Sequence, residues 1–478
     1  MDASNDQSVA STAATNQHRS HVSIDDLPPD VLLVIFREVL LTHLDPWPSY
    51  HNLMSPHPFP ESIASVCRHW RGVMSTVAFF WTRLVIWVGR DPTPLSTVCD
   101  YIAWSQNSPL DIHVLCTPEE SIEHHTTEKA QVQAVMETLT PHMKRWRVLH
   151  MQLFFASSLP RPRIDLVGRA SKLVELELLS TVDDCVASAE EAPPIVGEFQ
   201  TPALDVLELS GLQFRESYVK PFPQLPMPPI LSYVIVSDYG SQYTPFPLVD
   251  LLRCLVSCKG LQHVEFANLH LDCSYNGPPL VQHGITWDAE VVDFLDMRGD
   301  VIAHYNRLLG YPYVEAVSYT RCSMEVPCML GNSYYTRLTE IATSRALFSF
   351  LAAGRGPFSC RDVTLTNCDG LRPEVLHMLG LTTDGVWLCP YIKSLTIVGC
   401  KQFHSPALRF LLEGRRRVHE ATGFPEDIDP QYVVGSIEDL DVKDCCELTP
   451  EDKAWLDANV SNVRWDDWSG GYSSRRSR

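Results

Sequence analysis

Leu173-Val174-Glu175-Leu176-Glu177-Leu178 and, further on, Leu204-Asp205-Val206-Leu207-Glu208-Leu209 are two copies of one pattern, hydrophobic-x-x-hydrophobic-x-hydrophobic. The closing positions alternate apolar with polar, which is the period of a strand with one buried face. The same pattern occurs at Trp146–Met151, Leu231–Val236, Leu261–Phe266, Val314–Tyr319, Cys360–Leu365, Ile392–Ile397 and Ile437–Val442. Its central residue falls at 149, 176, 207, 234, 264, 317, 363, 395 and 440, so successive copies lie 27, 31, 27, 30, 53, 46, 32 and 45 residues apart. The wide gaps call for inserted loops or a degenerate copy. Asp272–Trp287 and Tyr311–Tyr335, rich in Tyr, Pro, Cys and Gly, are read as such loops. Helical stretches follow several copies, at Leu248–Val256, Arg345–Ala352, Glu374–Leu379 and Pro406–Leu412. A strand-plus-helix unit that cannot bury its own apolar face must stack on its neighbours.

Three late copies are followed by Cys at one offset, as Thr366-Asn367-Cys368, Val398-Gly399-Cys400 and Lys443-Asp444-Cys445, and Cys322 after Thr320-Arg321 falls there too. With repeat lengths at or just above the usual ~20–29 residues, this resembles the cysteine-containing class of leucine-rich repeat. The resemblance implies a curved solenoid in which these thiols turn inward, and repetition at one offset speaks for packing rather than catalysis. Its strand surface would carry a protein ligand. The candidate outward residues are Glu175, Glu177, Glu208, Glu265, Thr364, Thr366, Lys393, Thr396, Glu438, Asp439 and Asp441, each of which also reads as an ordinary solvated strand position.

Upstream, Ile24-Asp25-Asp26-Leu27-Pro28-Pro29-Asp30 reads as a helix start, with an Asp cap and prolines in the first turn. Val31, Leu32, Ile35, Phe36, Val39 and Leu40 then form a broad apolar stripe at helical period. Asp45–Pro60 holds five prolines and reads as an exposed loop. Ile63, Val66, Cys67, Trp70, Val73, Met74 and Val77 return to helical spacing, and Phe79–Trp87 closes the unit with an aromatic and β-branched run. Such a short module with so much apolar surface either buries all of it in a three-helix core or keeps part for a partner.

Leu27-Pro28-Pro29-Asp30-Val31-Leu32-Leu33-Val34-Ile35-Phe36, then Val66-Cys67-Arg68-His69-Trp70-Arg71, then Phe80-Trp81-Thr82-Arg83-Leu84, resembles the F-box in three parts and in order. The proline-rich insertion is similar to that of F-box-like proteins of fungi, as is Ala103-Trp104-Ser105-Gln106-Asn107-Ser108-Pro109-Leu110-Asp111-Ile112 downstream. The resemblance implies docking on the Skp adaptor, and through it a cullin, of a Skp–cullin–F-box ubiquitin ligase. By motif match the adaptor-binding residues would be Leu27, Pro28, Val31, Leu32, Ile35, Phe36, Val66, Cys67, Trp70 and Trp81, with Ile35, Val66 and Trp70 the alternatives for module core.

The expected fold is therefore a mixed α+β and α/β repeat protein. Its parts are a disordered leader (1–22), a three-helix F-box-like module (23–88), a linker helix and first strand (89–115), a curved leucine-rich-repeat-like solenoid (116–465) and a disordered tail (466–478). A chain of 478 residues with 45% hydrophobic and 20% charged side chains has ordinary globular composition. Its 38 Lys and Arg against 58 Asp and Glu leave a net charge of −20, which argues against nucleic-acid or anionic-membrane partners. Arg415-Arg416-Arg417 is read as solvated surface. No signal peptide or membrane span is apparent, so the expected location is cytoplasmic, nuclear or both. The 15 cysteines read as thiols, and neither Cys254/Cys258 nor Cys322/Cys328 has the second pair that a zinc site needs. No phosphate-binding loop, dinucleotide fingerprint, nucleophile elbow or zincin motif occurs, so neither cofactor nor catalysis is expected. The leading expectation is a ligase substrate receptor with an unidentified protein substrate. The alternative is a non-catalytic F-box and repeat scaffold acting outside ubiquitination.

Overall fold

The computed structural model describes residues 27–43, 59–116, 127–184, 197–219, 227–228, 231–280, 287–325, 328–353, 360–382, 387–422 and 434–473. The expected leader and nearly all of the proline-rich loop lie outside them. The chain forms two compact units, one from residues up to Thr82 together with Asp100–Ser108, the other from Arg83–Cys99 and the chain from Pro109 onward.

In the first unit, helix α1 (Pro29–His43) opens where its prolines predict, and the N–H groups of Val31 and Leu32 donate to Pro28 O at 3.0 and 3.1 Å. The second helical stretch, read as continuous over 63–77, is two helices, α2 (Glu61–Ala64) and α3 (Arg68–Ser75). Cys67 divides them. Its backbone is extended (φ −157°, ψ 168°) and its Sγ accepts the Trp70 N–H at 3.4 Å, sulfur standing where an N-cap oxygen usually does. Leu32, Phe36, Met74, Phe80 and Trp81 form the core. Trp81 donates its indole N–H to Met74 O at 3.0 Å and packs on Tyr101 and Trp104, with ring centroids 5.0 and 4.4 Å away. The end of helix α4 (Leu95–Trp104), assigned from sequence to a linker, thus supplies core to this unit.

The second unit is built on one sheet of 15 strands whose spatial order is the chain order. These are β1 (Arg83–Val88), β2 (Leu110–Cys116), β3 (Trp146–Phe155), β4 (Glu175–Val182), β5 (Val206–Ser210), β6 (Tyr233–Tyr239), β7 (His263–Leu269), β8 (Val291–Leu295), β9 (Tyr313–Thr320), β10 (Asn332–Thr339), β11 (Asp362–Thr366), β12 (Ser394–Val398), β13 (Asp439–Lys443), β14 (Asn462–Trp465) and β15 (Trp468–Gly470). Every neighbouring pair is parallel except the last, which is antiparallel. The fold is mixed α/β with a large, mostly parallel sheet. Every strand named from the repeated pattern is present, and helices Leu248–Val256, Ser344–Ala353, Pro373–Leu379 and Ser405–Thr422 coincide with the helical stretches read between them.

Four boundaries differ from the sequence reading. Strand β1 belongs to the sheet, pairing Leu84 with Ile112, although the run containing it was assigned to the helical module. Strand β8 lies in the widest gap, where Ala289 fills the first apolar position and hides the pattern. Strand β10 lies in the segment read as a loop, because Ser333 and Thr336 occupy two of its buried positions. Their hydroxyls bond each other at 2.9 Å, and Thr336 Oγ1 also meets Cys360 Sγ at 3.4 Å, so two polar side chains sit in the core with partners. Finally, Trp468–Gly470, inside the expected disordered tail, closes the sheet, its antiparallel pairing ending the parallel succession.

The strand exits share one conformation. Asp238, Asn268, Asp296, Arg321, Glu340, Asn367, Gly399 and Asp444 all have φ between 51° and 68°. Asn, Asp and Gly are the residues that adopt this region most readily. The N–H groups of Asp296, Arg321, Glu340 and Asn367 each donate to the last carbonyl of the next strand at 2.8–2.9 Å. Arg321 bridges Asp296 (2.8 Å) and Glu340 (3.1 Å) along this edge. The cysteine that follows turns its thiol back to the preceding strand. Cys322 Sγ donates to Phe294 O at 3.3 Å, Cys368 Sγ to Leu338 O at 3.2 Å, Cys400 Sγ to Leu365 O at 3.8 Å and Cys445 Sγ to Ile397 O at 3.6 Å. The common offset read from the sequence is thus a common hydrogen-bonding role.

Candidate functional site

Two surfaces, one on each unit, carry side chains that packing within the unit does not account for. On the first unit, helix α1 is apolar on two faces. Leu32 and Phe36 face inward with no exposed surface, and Phe36 meets Trp70 at 5.1 Å between ring centroids. Val31, Val34, Ile35 and Leu41 are exposed, Val34 and Leu41 by 58% and 61%. Val66, in the break before Cys67, and Phe79, in the turn before Trp81, are exposed to 58% and 59%. An exposed apolar stripe beside the one that packs inward is the kind of surface that a partner covers.

The ten residues expected to bind the adaptor divide accordingly. Pro28, Val31, Ile35 and Val66 are exposed, and Leu27, Cys67 and Trp70 are half-buried. Leu32, Phe36 and Trp81 lie in the interior of the unit and are not presented at its surface. Ile35 and Val66, weighed as core, are at the surface instead. The physical reason is the helical phase, since Leu32 and Phe36 share a face while Val31 and Ile35 lie one residue round from it. Val34, Leu41 and Phe79 are exposed apolar residues that were not among the ten. The signal for the first two was a second apolar stripe on α1, out of phase with the one that was read.

On the second unit, the outward face of the sheet between β3 and β8 is dominated by carboxylates. In register across successive strands stand His150, Glu177, Glu208, Ile235, Glu265 and Asp293. Glu175 precedes Glu177 on the same face of β4, and His263 precedes Glu265 on β7. Adjacent strands are ~4.8 Å apart, so like charges cannot avoid one another. Burial, a hydrogen bond with Glu175 and the charges of Glu175 and Glu208 push the Glu177 carboxyl up to about 8. Burial and the neighbouring Glu265 and Glu175 raise Glu208 to about 7. Burial and Asp293 raise Glu265. A hydrogen bond from its Nε2 to Asp293 Oδ2 at 2.9 Å raises His263. His150 Nδ1 lies 3.3 Å from Glu177 Oε2, but burial holds its imidazole below the ordinary value.

His263, Glu265 and Asp293 bring one ligand atom each within 4.8 Å of the others, a donor set that a divalent cation accepts. Glu175, Glu177, Glu208 and Glu265 were legible as outward strand positions. Asp293 was not, because strand β8 was unread, and His263 falls on an x position of the pattern that carried no weight. Thr364, Thr366, Thr396 and Asp441 also lie half-buried on outward positions of later strands.

Arg415, read as solvated surface, is fully buried. Its guanidinium donates to the carbonyls of Gly435, Leu379, Leu388, Cys389 and Pro390 at 2.9–3.2 Å. It holds chain rather than ligand. Arg416 pairs with Glu420 at 2.7 Å, and only Arg417 is well exposed. Among the described residues no helix is long and apolar enough to cross a membrane. No family model matches the chain, and no curated protein matches it.

Proposed function

We propose that the chain is the substrate-recognition subunit of a Skp–cullin–F-box type ubiquitin ligase, working in the cytoplasm or nucleus without chemistry of its own. In this reading the first unit is an F-box that docks on the Skp adaptor. The second is a leucine-rich-repeat-like solenoid that holds a protein substrate, raising its effective concentration near a charged ubiquitin-conjugating enzyme. The observation that carries the reading is the second apolar face of α1, with Val31, Val34, Ile35 and Leu41 exposed on a short helix whose motif matches the F-box. Aliphatic and aromatic anchors of this kind suit the desolvated centre of a protein interface. The strand succession in chain order, the shared left-handed exit and the inward thiols support the solenoid part.

The competing reading, a scaffold outside ubiquitination, differs in what assembles on the adaptor. Reconstitution with purified adaptor and cullin separates the two. Co-elution of all three on gel filtration is the expected result, and adaptor binding that excludes cullin selects the scaffold.

A further inference from the structure

We propose that the outward face of strands β4 to β8 docks a Lys- and Arg-rich segment of the partner protein. The inference rests on the receptor reading and names the chemistry of what that receptor takes. Three features of this sheet face converge on a cationic, extended ligand.

The first is an excess of negative charge. The outward rows from Glu175 to Leu295 hold Glu175, Glu177, Glu208, Glu265 and Asp293 and no Lys or Arg. Their basic neighbours are His263, engaged by Asp293 at 2.9 Å, and His150 on β3, 3.3 Å from Glu177. Arg147, at the start of β3, is held by Asp111 at 2.8 Å and also feels the charge of Glu175. The second is an apolar row beside the acidic one. Tyr233, His263, Val291, Ala316 and Tyr335 stand in register one step back along the strands, with Tyr233 and Tyr335 about 40% exposed. Lys and Arg lay their aliphatic stems and guanidinium planes on such rings while their heads reach carboxylates. The third is the protonation of the row. Burial and the crowding of Glu175, Glu208 and Glu265 raise Glu177 to about 8 and Glu208 to about 7, and His150 beside Glu177 is itself held below its ordinary value by burial, so the ionised row is short of balancing charge. A cationic ligand supplies that balance, so its binding releases protons. The strands β4 to β8 span ~19 Å, the reach of roughly six extended residues.

The test is fluorescence anisotropy with the full chain and a labelled Lys/Arg-rich peptide, beside Glu/Asp-rich and Gly/Ser peptides. The wild type is expected to bind the basic peptide alone, and more tightly as pH rises from about 6 to 9, while lysine stays charged. Glu208→Gln/Glu265→Gln/Asp293→Asn is expected to weaken it by at least ~10-fold. Asp369→Asn/Glu447→Gln/Asp467→Asn, an equal loss of charge at exposed sites elsewhere, is expected to leave it unchanged. Equal weakening by both variants, no binding by the wild type, or affinity that falls with pH overturns the proposal. Saturable binding of Ca2+ or Zn2+ without peptide binding overturns it in favour of a metal site at His263, Glu265 and Asp293. Adaptor pull-down on the same preparations separates the failures. Adaptor bound without peptide sinks this inference alone, and peptide bound without adaptor sinks the receptor reading. The wild-type pH series needs no variant, so it stands even if the triple variant misfolds.

Discussion

At the residue scale, the surprises are polar side chains with structural roles that their neighbours in sequence conceal. Arg415 sits between Gly414 and Arg416 in what reads as a basic surface run, yet it ties five backbone carbonyls from three stretches of chain. Replacing it by Met keeps length and removes the donors, leaving buried acceptors unsatisfied at a cost on the order of 3 kcal/mol or more. Thermal unfolding of Arg415→Met is therefore expected several degrees below wild type, and an unchanged midpoint would show that the guanidinium is dispensable. Ser333 and Thr336 illustrate the converse concealment, since a strand hides behind two hydroxyls that satisfy each other. For Arg415 the missing information is three-dimensional, because carbonyls twenty or more residues away decide that it is core.

At the scale of elements, most strands were legible because alternation is a local property, set by which face of each strand is buried. Two of those that were missed had small or polar residues at core positions, namely Ala289 before β8 and Ser333 and Thr336 in β10. The split between α2 and α3 was illegible for a different reason, because the helical period happens to run through the cap at Cys67. The acidic row is an element-scale property as well. Each Glu is ordinary on its own strand, and only the register makes them neighbours. Glu177 and Glu208 have folded-state values of about 8 and 7, above the ordinary 4.5, so the folded chain holds protons there that the unfolded chain loses. Stability from this region is thus fully present below the ordinary carboxylate range and declines as pH rises from ~5 to ~8. Glu177→Gln/Glu208→Gln is expected to flatten that decline in a denaturant-midpoint series against pH. A wild type whose stability rises across the same range would contradict the burial and crowding inferred for the row.

At the scale of the whole molecule, the proposed division of labour rests on what each unit leaves uncovered, an apolar helical face on one and an acidic sheet face on the other. The sequence offered a three-part resemblance to an F-box, but not which of its residues face outward, because motif matching does not distinguish the two faces of α1. If the first unit docks on the Skp adaptor as proposed, the exposed apolar side chains of Val31, Ile35 and Val66 make the contact. The most direct measurement is adaptor binding by the full chain, by calorimetry, for wild type and for Ile35→Asp/Val66→Asp, with folding followed by circular dichroism. Placing charges on solvent-exposed positions leaves the core of Leu32, Phe36 and Trp81 intact, so the variant is predicted to fold as wild type and to lose adaptor affinity by ~100-fold or more. Wild type that does not bind the adaptor, or a folded variant that binds as tightly as wild type, would contradict the claim.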